Sequence, residues 1–398
     1  MLAMSTTGQG FPGPSPTCIR TETTVKRPWS VLRLIILAIG CASLASDGHA
    51  DAWTSDCPKD SPEFRRINVG AVTLHVGCLG IAKDDKPTLI FLHGFPEYWA
   101  GWEEVASILA KKFRVVLPDQ RGYNLSDRPL EVSQYQLQDL VGDVESLIAS
   151  VSPTRPVILI GHDLGGLIAY AAAAQLPAGR IAGLVIANAP HPNVFQQLFL
   201  TDLAGFPPLQ GQLAASSYLL TFFPSDACPM PGLCPASVPE AYYSNPNENG
   251  DLDDPDAADY VNLIRLIQSW GGAPPVDQSL FEAWNRTPGP TYDTHLTSML
   301  NWYRAILPLV FEPLPDFTIN VPTLVLWGTE DGALVEANVD LGTHASYPGA
   351  QTLDAFIPDL KVEKYTDAGH FVQHEKPIEV AAEIKKFVDT LPAASGPK

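Results

Sequence analysis

Positive charge is scarce in this chain of 398 residues: 25 Lys and Arg stand against 44 Asp and Glu, for a formal net charge of −19 at pH 7. A nucleic-acid-binding surface needs a basic patch that neutralises phosphates, so we predict no nucleic-acid partner. Internal repeats, low-complexity tracts and Cys/His clusters with zinc spacing are also missing. We therefore predict a globular protein with no metal site.

Long apolar runs are missing as well. The run at 34–40 follows three basic residues and precedes the small residues at 50–52, but it is too short to span a bilayer comfortably. This pattern is typical of an export signal, so residues 1–52 are predicted to be a leader that is removed, leaving an exported (periplasmic or secreted) protein without stable membrane insertion. Lipid attachment at Cys41 and a disordered cytosolic tail are the alternatives.

Cysteine is rare, and only four of the six cysteines lie beyond the predicted leader. An even number in an exported chain is compatible with disulfides. Cys228 and Cys234 flank a Pro-Gly turn, and Cys57 and Cys78 flank the first two predicted strands. Two disulfides, Cys57–Cys78 and Cys228–Cys234, are therefore one interpretation, and four free thiols are the other.

Strand-like and helical segments alternate along most of the chain from about residue 64. Eight apolar segments have strand character: RINV, VTLHVGCL, TLIFLH, RVVLPD, PVILIGHD, AGLVIANA, PTLVLWG and LKVEKYT. Short buried strands that alternate with helices predict an α/β fold with a mostly parallel, eight-stranded sheet covered on both faces.

The alternation breaks in residues 194–315, where helical patches are separated by loops rich in Pro, Gly and Asn. We predict that these residues form a helical cap (lid) domain. It would divide one α/β core into two parts, 53–193 and 316–398. An insertion at this point would lie over the carboxyl ends of the strands, where open α/β sheets bind ligands.

Serine is missing from the position where a hydrolase of the lipase type would carry it. The segment GHDLGG, 161–166, lies between a predicted strand and an Ala-rich helix, which is the setting of a G-x-S-x-G nucleophile elbow. Asp163 occupies the serine position. The glycines permit a strained turn, and the helix N-terminus favours an ionised carboxylate. The alternative is an ordinary N-cap aspartate.

Two later segments supply a histidine and an acid at the same edge of the predicted sheet. His370 follows the last strand, and Asp331 follows the strand before it. The chain order Asp163, Asp331, His370 is the nucleophile, acid, base order of α/β-hydrolases. Glu330 is an alternative orienter of the histidine.

An aspartate nucleophile indicates a particular chemistry. A serine that attacks a saturated carbon would form an ether, which water does not readily cleave. An aspartate forms an ester instead, and an activated water hydrolyses it. The pattern therefore favours displacement at an sp³ carbon of an epoxide or a halide, with His370 as general base on water and Asp331 as its orienter.

With these motifs the sequence resembles the epoxide hydrolases of the α/β-hydrolase superfamily, which are related to haloalkane and haloacetate dehalogenases. The resemblance covers most of residues 64–391. Its motifs are HGFPEYWAGW (93–102), DQRGYNLSDRP (119–129), GHDLGG (161–166), NAPHP (188–192), NWYR (301–304) and DAGHFVQHEKP (367–377). It implies that the backbone N–H groups of Phe95 and Leu164 form the oxyanion hole.

The resemblance also implies two lid tyrosines that protonate the epoxide oxygen. The intact NWYR segment assigns one role to Tyr303. Tyr218 is the nominee for the other, with Tyr242 and Tyr243 as alternatives. A tyrosine hydroxyl donates a hydrogen bond and stays protonated at neutral pH.

The predicted function is conversion of a small-molecule epoxide and water to a vicinal diol, without a cofactor. A dehalogenase with the same nucleophile is the second hypothesis. It is weakened because Leu164 stands where those relatives carry a Trp or Arg that binds the leaving halide or the substrate carboxylate. A catalytically silent binding protein on the same scaffold is the third. No oligomeric state is predicted.

Overall fold

The computed structural model of the protein describes residues 53, 56–83, 86–205, 211–232, 234, 261–272, 280, 283–284 and 293–392. The predicted leader lies outside these residues. Among the described helices, none has the length and apolar character needed to cross a membrane.

A single sheet of eight strands organises the fold. The strands are Glu63–Asn68 (β1), Thr73–Leu79 (β2), Thr88–Leu92 (β3), Arg114–Pro118 (β4), Val157–His162 (β5), Ile181–Ala187 (β6), Thr323–Gly328 (β7) and Leu360–Tyr365 (β8). Their order across the sheet is β1-β2-β4-β3-β5-β6-β7-β8. β2 runs antiparallel to β1 and to β4, and every other pair of neighbours is parallel. The predicted fold class is confirmed.

Helices cover both faces of this sheet. The α-helices in the described residues are Glu103–Leu109 (α1), Leu137–Val151 (α2), Asp163–Gln175 (α3), Pro192–Ala204 (α4), Gln212–Ala215 (α5), Val261–Ser269 (α6), Asp293–Ile306 (α7), Val372–Glu375 (α8) and Pro377–Thr390 (α9). Shorter 3₁₀ turns span Trp99–Trp102, Val132–Tyr135, Ser217–Phe222, Ser225–Ala227, Leu307–Phe311, Glu336–Val339 and Leu353–Ala355.

The central strands are buried on both faces because successive side chains point to opposite sides of a strand. Leu89 of β3 packs in the core on the side of α1 and α9, and its neighbour Ile90 packs on the side of α2 and α3. All six residues of β5 and of β7 are buried. This explains why those segments are continuously apolar in the sequence.

The described part of the segment between β6 and β7 consists of helices and the loops that connect them. It contains α4 to α7 together with 3₁₀ turns, and none of its described residues forms a strand. Two indole N–H groups join it to loops of the sheet: Trp302 donates to the carbonyl of Arg121 at 2.8 Å, and Trp284 donates to that of Pro96 at 2.7 Å. The domain limits at 194 and 315 remain predictions.

Both cysteine pairs are joined as disulfides. The Cα atoms of Cys57 and Cys78 are 5.6 Å apart, and those of Cys228 and Cys234 are 5.8 Å apart. The first bond fixes the segment before β1 to β2, and the second closes a short loop after the Ser225–Ala227 turn.

Candidate active site

Asp163 occupies a sharp turn between β5 and α3. Its φ of +50° lies in the left-handed region, which is uncommon for a residue with a side chain and is a form of strain found at functional sites. The turn is tight enough that a Cβ on Gly161 would lie 2.5 Å from the carbonyl oxygen of Gly165. Glycine is required there for steric reasons, and the turn lifts the Asp163 carboxylate above the strand ends.

The two oxygens of the Asp163 carboxylate have different environments. Oδ1 accepts the backbone N–H of Phe95 at 2.9 Å. Oδ2 lies 3.7 Å from Nε2 of His370. Leu164, the other residue of the predicted oxyanion hole, follows Asp163 in the first turn of α3 and is buried. One oxygen is therefore held by a hydrogen bond, and the other faces the histidine.

His370 and Asp331 come together from loops after β8 and β7. Nδ1 of His370 lies 2.8 Å from Oδ2 of Asp331, and both side chains are almost fully buried. Burial by itself would lower the pKa of His370, but the charge and hydrogen bond of Asp331, with the charge of Asp163, outweigh it and raise that pKa. Glu330, the alternative orienter, is exposed.

Asn188 is a residue of this site that sequence reasoning did not assign. At the end of β6 it donates from Nδ2 to Oδ2 of Asp331 at 2.8 Å, and its Oδ1 accepts the N–H of Gly328 at 2.9 Å. Oδ1 of Asp331 accepts the amides of Ala333 and Leu334. The acid therefore has fixed partners on both oxygens. The signal available in the sequence was a polar residue directly after a buried strand.

A second group of polar side chains, which sequence reasoning also did not assign, lies next to His370 and consists of His162, Glu97 and His374. His162 is fully buried, with Nδ1 2.9 Å from Oε2 of Glu97 and Nε2 3.0 Å from the carbonyl oxygen of His370. Oε1 of Glu97 lies 2.6 Å from Nε2 of His374. Burial alone would raise the pKa of Glu97, but the hydrogen bonds from His162 and His374 hold it well below its usual range. His162 and Glu97 thus connect the elbow to the backbone of His370 and to the side chain of His374.

A largely apolar cavity opens above Asp163. Its empty space is about 810 Å³, including the open mouth. Both nominated tyrosines, Tyr218 and Tyr303, line it together with Asp163 and Leu164. Most of its apolar walls come from α3, α4, α7 and the turn after α7, and the rest come from the start of α2, the Ser217–Phe222 turn and nearby loops. The apolar lining residues are Leu137, Leu164, Leu167, Pro190, Pro192, Phe195, Leu219, Ile306, Leu307, Leu309, Val310, Leu314, Phe317 and Leu334. Tyr242 and Tyr243 lie outside the described residues.

Tyr303 is the more buried of the two tyrosines. Its ring packs edge-on against Phe95 with centroids 5.2 Å apart, and its hydroxyl has no hydrogen-bond partner in the part of the chain that the structure describes. Burial and the charge of Asp163 raise its pKa well above the ordinary value. The group is therefore a protonated donor with no competing acceptor. Tyr218 is half-buried and stacks near Trp270, with centroids 4.8 Å apart.

No group of three or more His, Cys, Asp or Glu side chains in the described residues could hold a metal ion. The candidate reacting groups are the carboxylate of Asp163, the imidazole of His370 and the phenols of Tyr218 and Tyr303. These groups come from the elbow, a strand-end loop and the helical insertion.

Known proteins with similar sequences and structures show the family of this chain. Residues 87–377 match the family model of the alpha/beta hydrolase fold. The sequence is 32% identical over 320 residues to the AB hydrolase superfamily protein YfhM of Bacillus subtilis (strain 168). The match covers 80% of this chain and 95% of that protein. It is 30% identical over 332 residues to epoxide hydrolase 1 of Caenorhabditis elegans. That match covers 82% of this chain and 70% of the relative.

One similar solved structure is of a novel epoxide hydrolase of the alpha/beta hydrolases superfamily, from metagenomes of hot environments. It has 29% sequence identity to this chain and a TM-score of 0.61. The match covers 82% of this chain and 98% of that one.

Proposed function

The chain belongs to the epoxide hydrolases of the α/β-hydrolase superfamily, hydrolases that act on ether bonds, and from this premise we propose that it converts an apolar epoxide to a vicinal diol through an ester on Asp163. One observation carries the proposal. The carboxylate of Asp163, faced by the base His370, lines the same cavity as the buried and protonated hydroxyl of Tyr303.

In the first step, Oδ2 of Asp163 attacks one carbon of the epoxide. The C–O bond to that carbon breaks, and the ring oxygen takes its electron pair and receives a proton from the hydroxyl of Tyr303, which becomes a phenolate, while the hydroxyl of Tyr218 donates a hydrogen bond to the same oxygen. The product is a β-hydroxyalkyl ester of Asp163. Oδ1 stays bound to the N–H of Phe95, which leaves Oδ2 to react.

In the second step, Nε2 of His370 removes a proton from a water, and the resulting hydroxide attacks Cγ of the Asp163 ester. Negative charge develops on Oδ1, where the N–H groups of Phe95 and Leu164 stabilise it. The bond between Cγ and the former Oδ2 then breaks, and the diol leaves with that oxygen and the proton that His370 held. Asp163 keeps the oxygen and the remaining proton of the water, and this proton returns to the phenolate of Tyr303, which restores both groups. Asp331 fixes the imidazole orientation and stabilises its positive charge.

The cavity supports a substrate class within the epoxides. Its polar side chains are Asp163, Tyr218, Tyr303 and Ser216, and the hydroxyl of Ser216 donates to the carbonyl of Ala333 at 2.9 Å. A charged or strongly polar substituent would lose its hydration there without a compensating partner. We therefore propose an uncharged epoxide with an aliphatic or aryl substituent.

Single-turnover hydrolysis of styrene oxide in ¹⁸O-labelled water tests the mechanism. We expect label in the carboxylate of Asp163, detected by mass analysis of its peptide, because water attacks Cγ. Direct attack of water on the epoxide would leave that peptide unlabelled and would refute the ester route. His370→Gln is the companion variant, and it should accumulate the ester.

Export is proposed separately. It is supported by the leader-like pattern of residues 1–52 and by the two disulfides, which persist in oxidising compartments. Expression with the leader attached, followed by N-terminal sequencing of protein outside the cytoplasm, tests it. Uncleaved protein that stays in the cytoplasm with reduced thiols would contradict it.

A further inference from the structure

The end of helix α6 contacts two loops, the one that carries His370 and the one that carries Asp331. We call residues 269–272, Ser-Trp-Gly-Gly, the Trp270 turn. The carbonyl oxygen of Trp270 accepts the backbone N–H of Gly332, next to Asp331, at 2.9 Å. The same oxygen lies 3.3 Å from the backbone nitrogen of His370, which also donates to the carbonyl of Gly271 at 3.2 Å. One carbonyl of the insertion thus binds both loops.

Glycines on both sides allow these backbones to approach. Gly271 and Gly272 have φ of +80° and +60°, a left-handed conformation that side chains other than Asn and Asp rarely adopt. On the other side, a Cβ on Gly332 would lie 2.4 Å from the carbonyl oxygen of Ser269, and one on Gly369 would lie 2.5 Å from the carbonyl carbon of Gly271. A single methyl group at these positions would separate the turn from the loops.

The side chain of Trp270 completes the contact. Its ring is 1% exposed and packs edge-on against the ring of His370, with centroids 5.3 Å apart. Tyr218 packs against it with centroids 4.8 Å apart. The turn therefore touches the backbone and the ring of the base, and it also touches a tyrosine that lines the cavity.

We propose that the Trp270 turn is a positioning element for the hydrolysis of the ester, an inference that rests on the proposed function. Asp331 and His370 lie on separate loops, and their 2.8 Å contact depends on the relative position of those loops. A shared acceptor fixes that position. Ester hydrolysis needs the histidine and its acid, whose loops both hydrogen-bond to the backbone of the turn. Ester formation needs Asp163 and the tyrosines, which the turn contacts through ring packing on Tyr218. Loosening the backbone contacts therefore slows the second step more than the first.

Two variants separate the turn from the loops, one from each side. Gly271→Ala acts from the insertion, where the new Cβ would lie 2.9 Å from the carbonyl oxygen of Glu330. Gly332→Ala acts from the acid loop. Gly349→Ala is the matched control, because Gly349 also has a left-handed φ, +91°, but its Cβ would meet nothing within 4 Å. The control has the same backbone strain as Gly271→Ala without a contact to the catalytic loops.

Quenched-flow single turnovers with styrene oxide measure the rates of ester formation and ester hydrolysis for each protein. We expect the ratio of hydrolysis to formation to fall at least about tenfold in both variants, since displacements of about 1 Å cost up to about 10²-fold. The control should keep the ratio of the wild type. The pKa of His370, followed by NMR, should also fall in both variants, because a weaker contact with Asp331 raises it less.

An unchanged ratio and an unchanged pKa of His370 in a folded Gly271→Ala or Gly332→Ala protein would overturn the inference, as would equal slowing of both steps. Failure of both variants to fold would also overturn it, because the contact would then serve the stability of the fold. Absence of any ester in the wild-type protein is a different result, and it would refute the proposed function itself.

Discussion

Nε2 of His370 lies 3.7 Å from Oδ2 of Asp163, which is beyond hydrogen-bond distance. The same nitrogen has no hydrogen-bond partner among the residues that the structure describes, while Nδ1 is held by Asp331. The proposed base and nucleophile are therefore neighbours without a direct hydrogen bond. In the proposed reaction, Oδ2 of Asp163 stays available for attack, and Nε2 of His370 stays available for the proton of water.

Tyr303→Phe should slow ester formation by about tenfold or more while leaving ester hydrolysis within about twofold, because the hydroxyl assists only the departure of the ring oxygen. Rapid-quench measurement of both steps with styrene oxide checks this. Tyr170→Phe is the matched control, since that hydroxyl is also buried and without a partner among the described residues but does not line the cavity. Slowing confined to the second step would contradict the assignment of Tyr303 as a proton donor.

Asp331→Asn should lower the pKa of His370. Despite burial, that pKa lies above the ordinary value of 6.5 in the wild type, chiefly because of Asp331. A general base must be neutral, so ester hydrolysis is lost as pH falls through this pKa, and the acid limb should move to lower pH in the variant. The hydrolysis rate should also fall by about 10²–10⁴-fold. NMR titration and the pH profile of hydrolysis measure these effects.

Glu330, the exposed neighbour of Asp331, provides the control for the Asp331→Asn experiment. Glu330→Gln should leave both the pKa of His370 and the hydrolysis rate unchanged, since Asp331 makes the contact with the imidazole. If Glu330→Gln moved the acid limb and Asp331→Asn did not, Glu330 would be the orienter.

Glu97→Gln should lower the free energy of unfolding at pH 7 by about 1.5–3 kcal/mol, because it removes the charged acceptor of the buried hydrogen bonds to His162 and His374. The pKa of Glu97 is depressed in the folded protein, so its stabilising contribution is present above the ordinary value of 4.5 and declines as pH falls towards the depressed pKa. The difference between the two proteins should therefore narrow below about pH 4.5. Urea unfolding at several pH values measures it.

The exposed Glu104→Gln variant should match the wild type throughout this series. An equal loss of stability in both variants would remove the special role of the buried carboxylate. A gap between Glu97→Gln and the wild type that widened on acidification would show that the sign of the pKa shift is wrong.

Terminal epoxides of increasing alkyl length should show a rise in kcat/KM of up to about fourfold per CH₂ until the cavity is filled, since each buried CH₂ contributes about 0.8 kcal/mol. Glycidol carries a hydroxyl where the alkyl epoxide of equal length carries a methyl group. It should be a much poorer substrate, because the hydroxyl loses its hydration in the apolar cavity. Steady-state kinetics on this series checks the apolar substrate class. A flat response to chain length would contradict it.

The sequence predicted the elements that depend on local pattern. Continuous apolar segments identified β5 and β7, and Gly-rich turns placed Asp163 and His370 directly after strands. The parallel sheet then brings the strand ends to one edge, which is why residues more than 150 positions apart were expected to meet. The alternation also showed where helical residues interrupt the core, although it gave no information on how they pack.

The tertiary structure alone decided which polar groups support these residues. Asn188 follows a buried strand and His162 ends one, which is also true of many polar residues with a purely structural role. Neither the sequence pattern nor the composition therefore distinguishes their roles. The contact of the Trp270 turn with the acid and base loops is made by backbone atoms, whose partners depend on packing and leave no signature in side-chain chemistry. The sequence therefore determined the proposed reacting groups and their order along the chain, and only the folded chain determined which groups hold them at the observed distances.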